Sequence, residues 1–120
     1  MAFDWNEYLK LAAFLKGDEV KYLPEAGIRS AISRAYYAAY CYARNFAVAK
    51  HSFIVTGKAD DHDLLIRHLT ARGMATIANN LASLRTWRNK CDYDNNVNIN
   101  LNTTVQFAIL QSQKIFADLK

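Results

Sequence analysis

The first chemical signal in this chain is a run of charges where an apolar stripe should continue. Leu81 and Leu84 recur at helical spacing, and steps of four carry that line on to Arg88 and Asp92, with Arg85 close to the same azimuth. A guanidinium that faces a core or a partner must be paired or used, because burying it alone is costly. One use is a plain Arg88 to Asp92 helix pair at i, i+4, worth about a few tenths of a kcal/mol. Another is a phosphate site, since arginine offers a planar fork to phosphate oxygens and Tyr93 adds a hydroxyl beside it. Five helical steps turn Tyr93 roughly 140° from Arg88. The two are therefore expected to meet only if the helix ends between them or a second subunit brings its own copy.

A second set of reactive side chains lies earlier. Ser33, Tyr37, Tyr40 and Arg44 recur at i, i+4, i+7 and i+11, forming a stripe of hydroxyls, rings and one cation on the face opposite the core stripe of the same helix. Such rings could stack bases or pack at a subunit interface. His51, His62 and His68 with Asp60, Asp61 and Asp63 raise the question of a metal. His62 and His68 are six apart, off one helical face and unlike the i, i+4 pair of a zinc helix, so Asp60 or Asp61 is expected to cap a helix instead. Gly57-Lys58 lacks the pattern of a phosphate loop, and no Ser/His/Asp or paired-carboxylate arrangement emerges from the spacing. Neither cofactor nor metal is expected.

The elements that would hold these residues are helices. Asp4 is placed as N-cap of a first helix reaching Lys16, with Trp5, Tyr8, Leu9, Ala12 and Leu15 as its stripe and Gly17 as its stop. Pro24 and Glu25 open a long second helix to about Lys50, where Ile28, Ala31, Ile32, Ala35, Ala39, Tyr42, Ala43 and Phe46 share the core face. A loop from His51 to Asp61 leads to a third helix ending near Ala71, with Gly73 as its stop. A fourth runs from about Met74 to Asp92. The asparagines from Asn95 to Asn102 favour turns, and Val97, Ile99 and Leu101 have no strand partner, so this segment reads as loop. Asn102 or Thr103 then caps a last helix carrying Val105, Ala108, Ile109, Phe116 and Leu119.

These assignments give an all-α, up-and-down bundle of four to five helices in a single domain spanning 1–120. The 120 residues are 52% hydrophobic and 22% charged, with one proline, a balance that excludes disorder and disulfide scaffolds. Cys41 and Cys91 read as buried thiols. No stretch approaches a membrane span, and the start lacks a secretory pattern, so a cytoplasmic protein is expected. A net charge of +4 favours acidic partners such as nucleic acid.

Two segments carry a family resemblance. Ser33-Arg34-Ala35-Tyr36-Tyr37-Ala38-Ala39-Tyr40 resembles the SRAYYA segment of small prokaryotic HEPN proteins, and Arg88-Asn89-Lys90-Cys91-Asp92-Tyr93-Asp94 resembles their RxxxDYD segment. His62 stands near where relatives carry a histidine opening the third helix. The resemblance implies a HEPN-like bundle that forms a homodimer, bringing two copies of an arginine and histidine motif into one cleft. In active relatives that cleft is a metal-independent ribonuclease site, often of a toxin or defence effector encoded beside a minimal nucleotidyltransferase acting as antitoxin. Arg88 matches the motif arginine, whereas Tyr93 occupies the histidine's place. A tyrosine with an ordinary pKa near 10 donates a proton at neutral pH and accepts one only if a cation such as Arg88 or Arg85 lowers that value. The implied function is RNA binding and cleavage, with Arg88 and Tyr93 catalytic, and Arg85, Asp92, Ser33, Tyr37, Tyr40 and Arg44 binding RNA or lining the interface. His62 would be an auxiliary proton carrier. The alternative is a non-catalytic module that docks a nucleotidyltransferase or another protein, with Tyr93 as a modification site.

Overall fold

A computed structural model describes residues 3–16 and 24–120. Among these the chain forms five helices, α1 (Asn6–Leu15), α2 (Pro24–His51), α3 (Asp61–Ala71), α4 (Ala75–Tyr93) and α5 (Leu101–Asp118), with no strand. This is the all-α bundle that the apolar periodicity predicts.

α2 organises the bundle. Its 28 residues extend about 42 Å at 1.5 Å per residue, close to the 44 Å long axis of the molecule. Ala31, Ala35, Ala38, Ala39, Ala43 and Ala47 are all fully buried along it, and their small side chains let α1, α4 and α5 approach its backbone closely. Leu9 and Ala12 of α1, Leu65 and Leu69 of α3, Leu81 and Leu84 of α4, and Ala108 and Ile115 of α5 complete one shared core.

Long-range hydrogen bonds from two side chains of α2 fix the helix directions. At the start of α2, the Arg29 guanidinium donates to the carbonyls of Cys91 (3.3 Å) and Asp94 (2.7 Å), so α4 ends where α2 begins. Further along α2, the Tyr42 hydroxyl donates to the Leu119 carbonyl at 2.6 Å, so α5 finishes beside the second half of α2. Thus α4 is antiparallel to α2, and α5 returns parallel to it. Trp5 lies by Arg44 and Tyr8 by Arg34, which makes α1 antiparallel to α2 as well. The short α3 packs beside α4.

Several helix ends differ from the sequence expectations. α1 begins at Asn6 and ends at Leu15; Asp4 still accepts the Asn6 backbone N–H at 3.0 Å through its side chain, while Gly17 lies outside the described residues. α2 continues to His51. α4 starts at Ala75 and runs one residue further than expected, through Tyr93. The cap of α5 is Asn100, whose side chain accepts from the Thr103 N–H at 3.0 Å, rather than Asn102 or Thr103. A run of asparagines offers several equivalent caps, and the one three residues before a free amide takes the position. Neither Asp60 nor Asp61 caps α3 with its side chain. Asp61 instead turns back to the preceding loop, accepting from the N–H groups of Thr56 (3.0 Å) and Gly57 (2.9 Å) and from the Thr56 hydroxyl. Gly73, at φ +80°, makes the turn out of α3 in a backbone region that favours glycine. Among the described residues no helix is long and apolar enough to cross a membrane.

Candidate functional site

Arg88 sits one and a half turns before the end of α4, and its side chain is only 15% exposed. Its Nε lies 3.0 Å from Asp92 Oδ2, forming the expected i, i+4 pair as a charge contact without hydrogen-bond alignment. The two Nη atoms are used separately. Nη1 donates to the Asn89 side-chain oxygen at 2.7 Å, and Nη2 donates to the Tyr37 hydroxyl and lies 3.4 Å from the Tyr93 hydroxyl. The guanidinium also stands over both rings, 4.9 Å from the Tyr37 centroid and 5.4 Å from that of Tyr93.

The meeting of Arg88 and Tyr93 corrects the sequence expectation. The helix does not end between them, and no second subunit is needed for contact. Two long side chains, one extended and one planar, span the rotation that separates their Cα atoms. Tyr93 is the last residue of α4 and remains 70% exposed, so the guanidinium is roofed on one side by a ring that faces solvent.

The stripe on α2 is likewise used within the protomer. Ser33 and Tyr40 are buried and Tyr37 is half-buried, so this face packs against α3 and α4 instead of standing free. Ser33 donates to Asp92 Oδ2 at 3.1 Å, holding the carboxylate that pairs with Arg88. Arg44 lies a turn beyond, its guanidinium bonded to the amide oxygen of Asn45 at 3.2 Å.

His62 joins the cluster more closely than its place in sequence suggests. Its ring stacks on Tyr40 with centroids 4.0 Å apart and planes at 8°, and its Nδ1 is hydrogen-bonded to the Tyr36 hydroxyl. Burial, with Arg85 and then Arg88 nearby, lowers the His62 pKa below its ordinary value, so the ring is neutral at neutral pH. Burial raises the Tyr36 pKa further still above the tyrosine range, which keeps that phenol protonated. A protonated phenol whose sole partner among the described residues is Nδ1 donates to it, and the neutral ring then carries its proton on Nε2. His62 therefore carries a hydrogen-bond donor on Nε2 and is not a ready base. His68 is separate, paired with the His51 carbonyl and Arg72.

Two contributors were not singled out from sequence. Tyr36 is 1% exposed and lies three residues after Ser33 and four before Tyr40, on their face; stepping by four reaches Tyr37 and passes over it. Arg29 ties down the exit of α4 by donating to Cys91, Asp94 and Asn95 carbonyls, which are otherwise unpartnered at a helix end. Its only signal in sequence is a place roughly 100° around the helix from the apolar stripe.

No family model, characterised protein or solved structure matches this chain. The chemistry of the site therefore rests on its atoms. Arg88, Arg85, Tyr93 and His62 Nε2 carry donor hydrogens, and Asp92 is the acceptor among them. The C-terminal end of α4 carries the negative pole of its dipole, which Lys90 in the last turn and the Arg29 guanidinium at the exit offset. Among the described residues Arg85 forms no ion pair, and no group of three metal-ligating side chains forms. Cys41 and Cys91 are buried free thiols; burial pushes the Cys91 pKa up to about 11, away from nucleophilic use.

Proposed function

We propose that the Arg88 face binds RNA at a phosphodiester and that a homodimer of this chain cleaves RNA there without a metal, as a HEPN-type ribonuclease of a toxin or defence module. One observation carries the reading. A nearly covered guanidinium keeps Nη2 between two tyrosine hydroxyls, and one of these, on Tyr93, opens to solvent. Donors aimed at a point where charge develops stabilise a phosphorane more than the starting diester. Arg88 would hold the nonbridging oxygens while the adjacent 2′-hydroxyl attacks phosphorus. Tyr93 would give its phenol proton to the departing 5′-oxygen. The 2′-hydroxyl proton would pass to Asp92, whose Oδ2 is held by Ser33 and Arg88. Ser33, Tyr37, Tyr40, Arg44 and Arg85 serve this account as supports and positive flank. His62 supplies a donor, in place of the base that a histidine beside the arginine would provide.

The experiment is direct: purified protein with RNA in the presence of a chelator should produce cuts that Arg88→Ala removes while the dimer persists. Intact RNA, together with no toxicity on expression, would contradict it.

The exposure of Tyr93 favours a second reading. A hydroxyl that is open to solvent and 3.4 Å from a guanidinium can accept a nucleotidyl group from a partner nucleotidyltransferase, its oxygen attacking the α-phosphorus as pyrophosphate leaves. Co-purification with such an enzyme and a nucleotide adduct on Tyr93 would select this reading.

A further inference from the structure

Next to the Arg88 site, a groove of roughly 310 Å³ runs between α1 and α2, lined by Trp5, Tyr8, Arg34, Tyr37, Tyr40 and Arg44 among others. Its chemistry alternates flat rings with cations. The Arg34 guanidinium lies 5.1 Å from the Tyr8 ring centre, and that of Arg44 lies 5.9 Å from the centres of both Trp5 and Tyr40. Among the described residues neither arginine forms an ion pair, although both are half-buried. Two cations concentrated in an aromatic cleft without a carboxylate are more than is needed to seat α1, whose Leu9 and Ala12 already reach the core. The groove is also continuous with the neighbouring site, because Tyr37 lines it while its hydroxyl receives the Arg88 hydrogen bond.

We propose that this groove binds single-stranded nucleic acid, with a base stacked on the ring of Trp5, against which the Tyr8 ring stands edge-on at 89°, and the flanking phosphates held by Arg34 and Arg44. Planar rings accept any base face, and guanidiniums beside them take the backbone, which is the combination single-strand binders use. The proposal rests on the RNA-handling reading of the Arg88 site for its choice of ligand, and it orients the strand: nucleotides in the groove lead through Tyr37 to the phosphate at Arg88.

Trp5 is its own reporter once Trp87, the other of the two tryptophans, is replaced by phenylalanine. Titration of the full chain with a hexameric 2′-O-methyl oligouridylate, which cannot be cleaved by 2′-hydroxyl attack, should quench Trp5 emission. The Arg34→Gln/Arg44→Gln pair should weaken binding at least about tenfold and flatten its salt dependence, with the melting temperature kept. Anisotropy of a labelled oligomer, read with both tryptophans in place, repeats the test should Trp87→Phe disturb the fold. Absent quenching, or unchanged affinity in the double variant, would overturn the proposal. Equal quenching by a glutamate-rich peptide would overturn it too, in favour of an acidic protein segment. Cleavage that Arg88→Ala abolishes, with no quenching, would refute the groove alone. Quenching without any cleavage would refute the Arg88 reading alone and leave the groove standing.

Discussion

The Arg88 guanidinium lies 3.4 Å from the Tyr93 hydroxyl within a single protomer, although α4 continues through both residues. The hydroxyl and the ring of Tyr93 can therefore be separated experimentally. Tyr93→Phe keeps the ring beside the cation and removes the proton donor. RNA cleavage should fall roughly hundredfold, the scale of a lost general acid, with the melting temperature unchanged because the side chain is mostly exposed. Wild-type rates in this variant would exclude Tyr93 from proton transfer.

His62 links the cluster to pH. Its pKa is held below the ordinary 6.5 by burial first and by Arg85 and Arg88 next. Between the folded value and 6.5 the unfolded chain binds a proton that the folded chain refuses. This contribution to stability is thus fully present above 6.5 and declines as pH falls below it, levelling off beneath the folded value. Denaturant midpoints from pH 7.5 to 5 should show the decline in the native sequence and a shallower one in His62→Gln. Equal slopes would contradict the neutral, buried assignment.

Arg29 is predicted to control order at the end of α4. Removing a guanidinium that serves three backbone carbonyls leaves those groups to solvent or unpaired. Arg29→Ala should cost about 1–3 kcal/mol and speed amide exchange around Cys91 to Asn95, while exchange in the middle of α2 changes only by the global loss. Exchange that rises uniformly would place its effect elsewhere.

The alanine face of α2 sets the spacing of the bundle. Ala39 is fully buried. Ala39→Leu inserts three carbons into a filled core and should destabilise by about 1–3 kcal/mol, read as a lower urea midpoint. A neutral result would mean that the helices pack less closely than their small residues suggest.

The helices were legible because apolar periodicity is a property of sequence alone: Leu81 and Leu84, or Ala31 and Ala35, declare the core without knowledge of their partners. The ends were less so. Asn100 and Asn102 are chemically equivalent caps, and only the chain's path selects one. The candidate site was half visible. Arg88 and Asp92 stand out as charges on a face that turns inward, whereas Ser33 reads as lying on the far face of α2, and its burial and contact with Asp92 depend on how α2 and α4 are aligned. Tyr36 and His62 are 26 positions apart, and nothing local announces a hydrogen bond that forms when α3 folds against α2. Side-chain reach also misled: a helical rotation computed for Cα positions kept Arg88 and Tyr93 apart, whereas the ends of long side chains meet.

The proposed role of Arg88 is decided by RNA cleavage with the purified native chain and with Arg88→Ala, both in excess chelator and both checked for dimer formation. Catalysis at Arg88 requires cuts by the native chain, and none by a variant that remains folded and dimeric. Uncut RNA with the native chain, or equal cutting by the variant, would contradict it.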